Sequence, residues 1–328
     1  MLESICGWIC ELTGARTAQK QASIQTLWSG YGELYRVGLT GTQPQSVIVK
    51  EVHPPNSQHH PRGWNSDRSH ARKLHSYQNE LEWYRAWSGL CHNGCKVPQY
   101  IGSTETASGQ IIVLEDLDRS GYSERRHDCT PAEINACLQW LANFHALFMG
   151  QAPGALWPVG TYWHLATRPD ELAATPDPHL VRVAPLLDAR LNSARFKTLV
   201  HGDAKVANFC FHPSVAKVAA VDFQYVGSGC GMKDVAYFLS SVLSSEELFK
   251  DESIYLNRYF GYLRLAAAAQ VTPVELADLE AEWRALYPLA WADFDRFLAG
   301  WAPQHWKRHA YSRSITARVL QEFVPVDP

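Results

Sequence analysis

The chain has 328 residues, of which 46% are hydrophobic, and its formal charge is −3. This length allows a sizeable core and suits two lobes, while the near-neutral charge excludes the strongly basic surface expected of nucleic-acid or anionic-membrane binding. There is no apolar run of about 18 residues and no positively charged leader, which predicts a soluble cytoplasmic protein with no nucleic-acid or membrane partner.

The N-terminal part predicts a small β-sheet. Residues 27–39 have the pattern of strand, turn and strand around Gly30 and Gly32, and residues 46–52 predict a third strand with Lys50 at its middle. Two glycines allow backbone amides to close over ATP phosphates, and a lysine on the following strand can reach those phosphates. A short Gly-x-Gly pair also fits an ordinary hairpin turn, so both interpretations stay open.

A helical pattern over residues 76–84 carries the expected acidic partner of Lys50. We expect Glu80 to hold the lysine, with Glu82 on a different helix face as the alternative. The long segment 53–75 before it is basic and rich in histidine. It predicts either a mobile loop over the mouth of a cleft, with basic residues at the foot of the helix, or a solvated surface loop.

Four of the eight cysteines form two pairs whose spacing invites a metal hypothesis. Cys6 with Cys10, and Cys91 with Cys95, together offer the thiolates that zinc prefers. The same spacing is also what one buried helix face produces. We expect the cysteines to be reduced, mostly buried thiols.

The middle of the chain predicts a strand ending near Glu115 and a long helix that begins after Thr130. Thr130, a proline at the next position and Glu133 form the pattern of a capping box. On that helix, His145 is expected to be a core histidine with satisfied hydrogen bonds. The aromatic and charged segment 160–171, with Trp163 and Arg168, is expected to form a wall of an acceptor site, although packing alone also explains Trp163.

Residues 201–208, His-Gly-Asp-Ala-Lys-Val-Ala-Asn, and the later Asp222 are the most informative pattern. Phosphoryl transfer requires metal, phosphates and acceptor hydroxyl to be held in line. Asp203 is expected to orient the acceptor hydroxyl, while Asn208 and Asp222 offer the oxygen ligands that Mg²⁺ prefers. Lys205 either stabilises the transferring phosphoryl group or faces solvent. Asp234, at a helix start, is predicted either to brace the loop or to contact substrate.

The helical C-terminal third carries Trp283, Trp291, Trp301 and Trp306. Their spacing is typical of buried helix stripes. If some of them also line an acceptor pocket, aromatic walls favour an apolar or cationic acceptor.

Taken in order, these motifs resemble the aminoglycoside phosphotransferase and choline kinase superfamily, and within it the ecdysteroid-kinase-like branch. The resemblance spans residues 27–250. It implies an α+β, protein-kinase-like fold with two lobes, a small antiparallel sheet with one long helix followed by a larger helical lobe. With the boundary after Leu117, residues 1–117 form the nucleotide-binding lobe and 118–328 the catalytic lobe.

The resemblance also implies ATP and Mg²⁺ as cofactors and a hydroxyl of a small molecule as acceptor. Lys50 matches the phosphate-binding lysine, Glu80 its partner, Asp203 the catalytic aspartate, and Glu115–Leu117 the hinge that meets adenine. Gly202 and Gln224 stand where protein kinases carry Arg and Gly, which argues against a regulated protein kinase. A catalytically silent scaffold is the alternative function, and a protein kinase is the third. The acceptor and the oligomeric state are not identified by the sequence.

Overall fold

The computed structural model describes residues 2–54, 67–106 and 109–323. Most of the His-rich segment, residues 55–66, lies outside the described residues. Its last part forms the start of a helix, which therefore begins earlier than the pattern around Glu80 predicts.

A five-stranded antiparallel sheet forms the N-terminal lobe of the described chain, in the order β1-β2-β3-β5-β4. Lys50 lies in the centre of β3, opposite Leu34 on one side and Ile112 on the other. Strand β1 was not predicted, because it is mostly exposed and its sequence is polar. The strands are β1 (Thr17–Thr26), β2 (Gly32–Thr40), β3 (Ser46–Val52), β4 (Tyr100–Thr106) and β5 (Gly109–Glu115).

Two helices flank this sheet. Helix α1 (Leu2–Thr13) buries Ile5 and Ile9 against a core formed by the sheet. Helix α2 (Asp67–Glu82) carries mainly polar residues, and its buried positions are Ser76, Tyr77, Asn79 and Glu80. Polar groups inside a protein need partners. Helix α2 therefore meets the rest of the molecule through hydrogen bonds and ion pairs as well as packing.

The C-terminal lobe is mainly helical. The predicted capping box is confirmed, because Thr130 accepts from the N–H of Glu133 and the Glu133 side chain accepts from the N–H of Thr130. The helices are α3 (Pro131–Leu147), α4 (Pro169–Ala173), α5 (Pro178–Asn192), α6 (Met232–Val242), α7 (Ser245–Ala267), α8 (Pro273–Trp301) and α9 (Ala310–Glu322). Short strands β6 (Thr198–Val200), β7 (Phe209–Phe211), β8 (Val218–Ala220) and β9 (Gly227–Gly229) pair as β6-β9 and β7-β8.

The large core lies around α3. Trp140 and Phe144 stack with ring centroids 5.0 Å apart. His145 is fully buried and bonded to Tyr259 and Asp234, as expected of a core histidine. Of the predicted tryptophans, Trp283 and Trp291 are buried and Trp306 is largely exposed.

The cysteine pairs do not form a metal site. Cys6 and Cys10 lie on α1, with Cys10 packed against the core of the N-terminal sheet, whereas Cys91 and Cys95 belong to the large core. All eight cysteines are free. Within residues 2–54, 67–106 and 109–323, no three His, Cys, Asp or Glu side chains form a group able to hold a metal ion. No helix of the described chain is long and apolar enough to cross a membrane.

Candidate active site

A cavity of about 1460 Å³ lies between the two lobes. The sheet contributes Lys50 on β3 and Leu34 on β2, and the helical lobe contributes Asp203, Asn208 and Asp222. The motifs that the sequence analysis placed in one cleft therefore meet around one cavity.

Lys50 joins three of the predicted elements. Its Nζ lies 2.6 Å from Glu80 Oε2 on α2 and 3.3 Å from Asp222 Oδ1. Lys50 and Glu80 are 6% and 1% exposed, so the pair is shielded from solvent. Burial acts to lower the pKa of Lys50, but the charges of Glu80 and Asp222 outweigh it and hold the pKa above its ordinary value. The structure thus selects Glu80 over Glu82 as the partner of a charged Lys50.

The loop after β6 is braced by Asp234. Asp234 Oδ2 accepts from the N–H of His201 at 2.6 Å, and Oδ1 accepts from the N–H of Gly202 at 2.9 Å. Gly202 has a φ of +80°, and a Cβ at this position would lie 2.1 Å from the carbonyl oxygen of Tyr225. An arginine, as in protein kinases, does not fit this backbone. Gly202 is therefore required by the local structure.

Asp203 is held from one side only. Its Oδ2 accepts from Lys205 Nζ at 2.9 Å and from Asn208 Nδ2 at 3.1 Å. Its Oδ1 is buried and has no hydrogen bond of standard geometry among the described residues, although the Tyr237 hydroxyl lies beside the carboxylate. The Asp203 side chain lies on the cavity wall. Burial acts to lower the pKa of Lys205, but Asp203 and Asp222 raise it overall. Lys205 therefore points toward Asp203 as a cation and not simply into solvent.

Asp222 follows β8 with a φ of +69°, an uncommon conformation for a residue with a side chain. The next residue, Phe223, is fully buried and stacks on Trp83 with ring centroids 4.5 Å apart. This packing holds Asp222 in its strained conformation at the cavity. Burial acts to raise the pKa of Asp222, but Lys50, Lys205 and further cations lower it to about 2. Asp222 is therefore ionised at neutral pH.

Asn208 and Asp222 suit a hard divalent cation. Asn208 uses its Nδ2 for the main chain and side chain of Asp203, which leaves its amide oxygen directed away from Asp203. Asp222 adds an ionised carboxylate that is about one third exposed. Mg²⁺ takes one or two protein oxygens of this kind and keeps water and phosphate oxygens for the rest. The donor set fits Mg²⁺ bound together with a nucleotide.

Gln224 connects the segment after Asp222 to helix α2. Its Oε1 accepts from Lys73 Nζ at 2.8 Å and from the Ser76 hydroxyl at 3.3 Å. Asn79 on the same helix donates to the carbonyl oxygens of Phe223, Gln224 and Val226 at 3.1 to 3.3 Å. A glycine in place of Gln224 would lack the first two contacts. These bonds hold the residues after Asp222 in place.

The glycine pair and the hinge differ in their placement. Gly30 donates its N–H to the carbonyl of Leu27 at 3.0 Å, and neither Gly30 nor Gly32 lies on the cavity wall. The turn joins β1 and β2 as a hairpin, and residues 22–25, 27, 28 and 31 around it line the cavity. A contact of Gly30 and Gly32 with ATP phosphates stays a prediction. Glu115 and Leu117 do line the cavity. The Glu115 carboxylate itself is held by Lys96 Nζ at 2.6 Å.

Of the three predicted acceptor contacts, only Arg168 lies on the cavity wall. Trp163 is fully buried behind the wall, and its Nε1 donates to Asp293 at 3.1 Å. Asp234 is also fully buried, and both its oxygens are used by the catalytic loop and His145. An acceptor therefore cannot contact either side chain. Arg168 donates to Glu171 Oε1 at 2.9 Å and lies over Phe297.

Tyr162, in the predicted wall segment 160–171, does line the cavity, whereas the lining residues Tyr237 and Lys307 were not predicted. Tyr162 and Tyr237 have ring centroids 5.6 Å apart beside Asp203. Burial raises the pKa of Tyr237, and the neighbouring Tyr162 and Asp203 add to the effect. Tyr162 precedes the predicted Trp163 directly.

Residues 23–269 match the family model described as the phosphotransferase enzyme family, APH. The chain belongs to this family. A candidate aminoglycoside phosphotransferase from Ralstonia eutropha has 13% identity and a TM-score of 0.52, with 98% of this chain and 95% of that one covered. The microcompartment-associated aminopropanol kinase has 16% identity and a TM-score of 0.56, with 97% and 93% covered. Among curated proteins, none matches the sequence.

These findings confirm the predicted superfamily and the kinase-like α+β fold. Membership of the phosphotransferase family supports a small-molecule phosphotransferase and implies the use of ATP. The ecdysteroid-kinase-like branch stays a prediction. At 13% and 16% identity, the structural neighbours establish the fold and do not identify the acceptor.

Proposed function

We propose that this protein transfers the γ-phosphate of Mg-ATP to a hydroxyl group of a small molecule. The observation that carries the proposal is the unpartnered Oδ1 of Asp203 at the wall of the cleft. A buried carboxylate oxygen without a donor loses the hydrogen bonds that water would supply. The hydroxyl of a bound acceptor is the donor that this oxygen lacks.

In this proposal, Asp203 orients the acceptor hydroxyl and takes its proton as phosphoryl transfer proceeds. Lys205 and Asn208 hold the other carboxylate oxygen, so Oδ1 faces the acceptor in a fixed direction. Lys205 also places positive charge where the phosphoryl group passes. The pairing of Asp203 Oδ2 with Lys205, two residues later, holds the carboxylate beside this cation.

Nucleotide binding is assigned to the other side of the cleft. Lys50, held by Glu80, would contact the phosphates, and the hinge at Glu115–Leu117 would contact adenine. Asn208 and Asp222 would hold Mg²⁺, which when bound neutralises phosphate charge and aligns the γ-phosphate. We place the boundary between the nucleotide-binding lobe, residues 1–117, and the catalytic lobe, residues 118–328, at this hinge.

Two other functions use the same fold. A catalytically silent scaffold would not require the Lys50–Glu80 ion pair, the Asp203 carboxylate and the proposed metal ligands to be arranged around one cavity. A regulated protein kinase is disfavoured because the backbone at Gly202 leaves no room for an arginine side chain and because Gln224 makes contacts that a glycine would lack. A peptide mixture incubated with labelled ATP tests the protein-kinase alternative directly.

Thermal unfolding with and without Mg-ATP tests the nucleotide site. At a ligand concentration a hundred times the Kd, binding stabilises a protein by about 2.7 kcal/mol, which corresponds to a shift of a few degrees. We expect the shift to require Mg²⁺ and to shrink in Asp222→Ala. If millimolar Mg-ATP leaves the Tm of the wild-type protein unchanged, the proposal is wrong.

Turnover separates an enzyme from a scaffold. With an alcohol that stimulates ADP release, we expect Asp203→Asn to lower kcat by roughly 10²- to 10⁴-fold, the usual contribution of a positioned base. Mg-ATP binding should persist, since Asp203 is not assigned to the nucleotide. ADP release unaffected by the substitution would refute the assigned role.

A further inference from the structure

Lys307 lies in the loop between α8 and α9, at residues 302–309, and lines the cavity that contains Asp203. The loop is anchored by Arg308, whose Nε lies 2.8 Å from Asp295 Oδ1 on α8. Within the loop, the N–H of Lys307 donates to His305 Nδ1 at 3.2 Å. The position of the Lys307 side chain is therefore set by a structured loop.

The Lys307 side chain is surrounded by aromatic rings. Its Nζ lies 4.2 Å from the ring centre of Tyr237, 5.4 Å from that of Trp306 and 5.6 Å from that of Phe294. The residue is 6% exposed. Ring faces attract a cation but accept no ordinary hydrogen bond from it. Across the described parts of the chain, no carboxylate or hydrogen-bond acceptor contacts this Nζ.

Other lysines and arginines on the cavity wall have such a partner. Lys50 has Glu80, Lys205 has Asp203, and Arg168 has Glu171. The remaining pairs are Arg36 with Asp116, Arg125 with Asp118, Lys73 with Gln224 and Arg72 with the carbonyl of Thr167. Among the lysines and arginines of the described wall, Lys307 differs in lacking an oxygen partner.

The ammonium of this largely buried side chain has little access to water and no oxygen partner, which is unfavourable. Burial lowers the pKa of Lys307 to about 7, even though the charge of Asp203 acts to raise it. An anionic group brought into the cavity would pair with the ammonium and satisfy its hydrogen-bond donors. The acceptor end of the site therefore contains a lysine that an anionic ligand group would pair with.

We propose that the acceptor alcohol carries a carboxylate that pairs with Lys307 while its hydroxyl meets Asp203. This inference rests on the proposed phosphotransferase function and specifies the acceptor. Tyr162 and Phe297 would contact the body of the molecule between its two polar ends. The expectation of a cationic acceptor, drawn from the aromatic residues alone, is replaced, because Lys307 repels a second cation.

Binding of matched probes tests the charge preference without requiring turnover. Benzoate, benzamide and benzylamine have similar shapes and differ in charge, and their affinities for the full chain are compared by calorimetry without nucleotide. A charge-assisted hydrogen bond predicts that wild type binds benzoate about 10-fold or more tightly than benzamide. In Lys307→Met the two affinities should agree within about twofold. Lys250→Met, at an exposed position of α7, is the matched control and should keep the wild-type preference.

Three results overturn the inference. They are equal or undetectable binding of all three probes to wild type, a preference for benzylamine, and a benzoate preference that persists in Lys307→Met. If the benzoate preference persists in Lys307→Met and this variant also binds Mg-ATP more weakly, the lysine is assigned to the transferred phosphate.

Turnover with matched alcohols provides the second readout. The series is 4-(hydroxymethyl)benzoate, its amide, and the corresponding aminomethyl alcohol, with ADP release as the signal. We expect kcat/KM to favour the carboxylate about 10-fold or more in wild type, mainly through KM, with this advantage lost in Lys307→Met. Phosphorylation of only the neutral or cationic alcohol refutes the carboxylate but keeps the phosphotransferase. If Mg-ATP does not raise the Tm of the wild-type protein, the phosphotransferase function is refuted. The benzoate measurement then still tests whether Lys307 binds a carboxylate.

Discussion

Replacing Lys307 by methionine should change how the stability of the free protein depends on pH. In the folded chain the pKa of Lys307 is lowered by burial to about 7, whereas its ordinary value is 10.5. Between these values the unfolded chain binds the proton that the folded chain has lost, so the free energy of unfolding rises with pH. Charges that bear on this lysine are Asp203, Lys205 and His309.

The size of the effect follows from the width of this window. Between pH 7 and pH 9 the folded lysine goes from half to almost fully deprotonated, which at 1.36 kcal/mol per pKa unit gives about 2 kcal/mol. For a chain of this length, that corresponds to a rise of about 3 °C in Tm. Lys307→Met should lack this contribution and should be more stable than wild type at pH 6, since it removes a buried charge.

The assay is thermal or urea unfolding of wild type, Lys307→Met and Lys250→Met at several pH values from 6 to 9. All other titrating groups are shared, so the difference between the curves isolates one lysine. We expect the stability advantage of Lys307→Met to shrink as pH rises, and Lys250→Met to run parallel to wild type. Parallel curves for wild type and Lys307→Met would show that the ammonium is neither buried nor unpaired.

Two further substitutions test the framework around the catalytic residues. Glu80→Ala leaves Lys50 buried with only the more distant Asp222, so we expect a loss of about 3 kcal/mol in urea unfolding and weaker ATP binding. The control Glu82→Ala, on a different face of α2, should have little effect on ATP affinity, and equal effects of the two would contradict the pairing. Asn79→Ala removes the donor to three carbonyls and should cost about 3 kcal/mol of stability. Its exposed neighbour Gln78 provides the control, and matching losses for Gln78→Ala would exclude a specific role of the Asn79 amide.

The sequence predicted the parts of the site whose partners are set by local motifs. Asp203 and Asn208 lie five residues apart in one loop, and Asp222 follows a buried strand, so their meeting needs only the pairing of short neighbouring elements. Lys50 and Glu80 required one further assumption, that a helix after the third strand packs against the sheet. Each of these steps relies on hydrophobic periodicity and residue chemistry.

The side chains that were misplaced or missed depend on orientation and on long-range packing. Trp163 lies in the expected segment, but its side chain points into the core. Asp234 does not contact the cavity but braces the loop at His201 and Gly202, which was one of its two predicted roles. Strand β1 has an exposed polar sequence, so its pairing with β2 left no periodic signal. Lys307 follows a long helix by a few residues, and its approach to Asp203 depends on how α8 packs against α6 and α9. Nothing in the residues around position 307 encodes that arrangement.

The distribution of paired charges around the cavity separates two tasks. On the proposed nucleotide side, Lys50 and Glu80 satisfy each other, which would preorganise the site before any ligand binds. At the proposed acceptor end, Asp203 Oδ1 accepts no hydrogen bond of standard geometry and Lys307 has no oxygen partner within the described chain. Neutralising Lys307 within the protein would increase stability but would remove the contact that a ligand can make. A hydroxyl donor and an anion on one small molecule would satisfy both groups at once, while the charge of Asp203 stays balanced by Lys205.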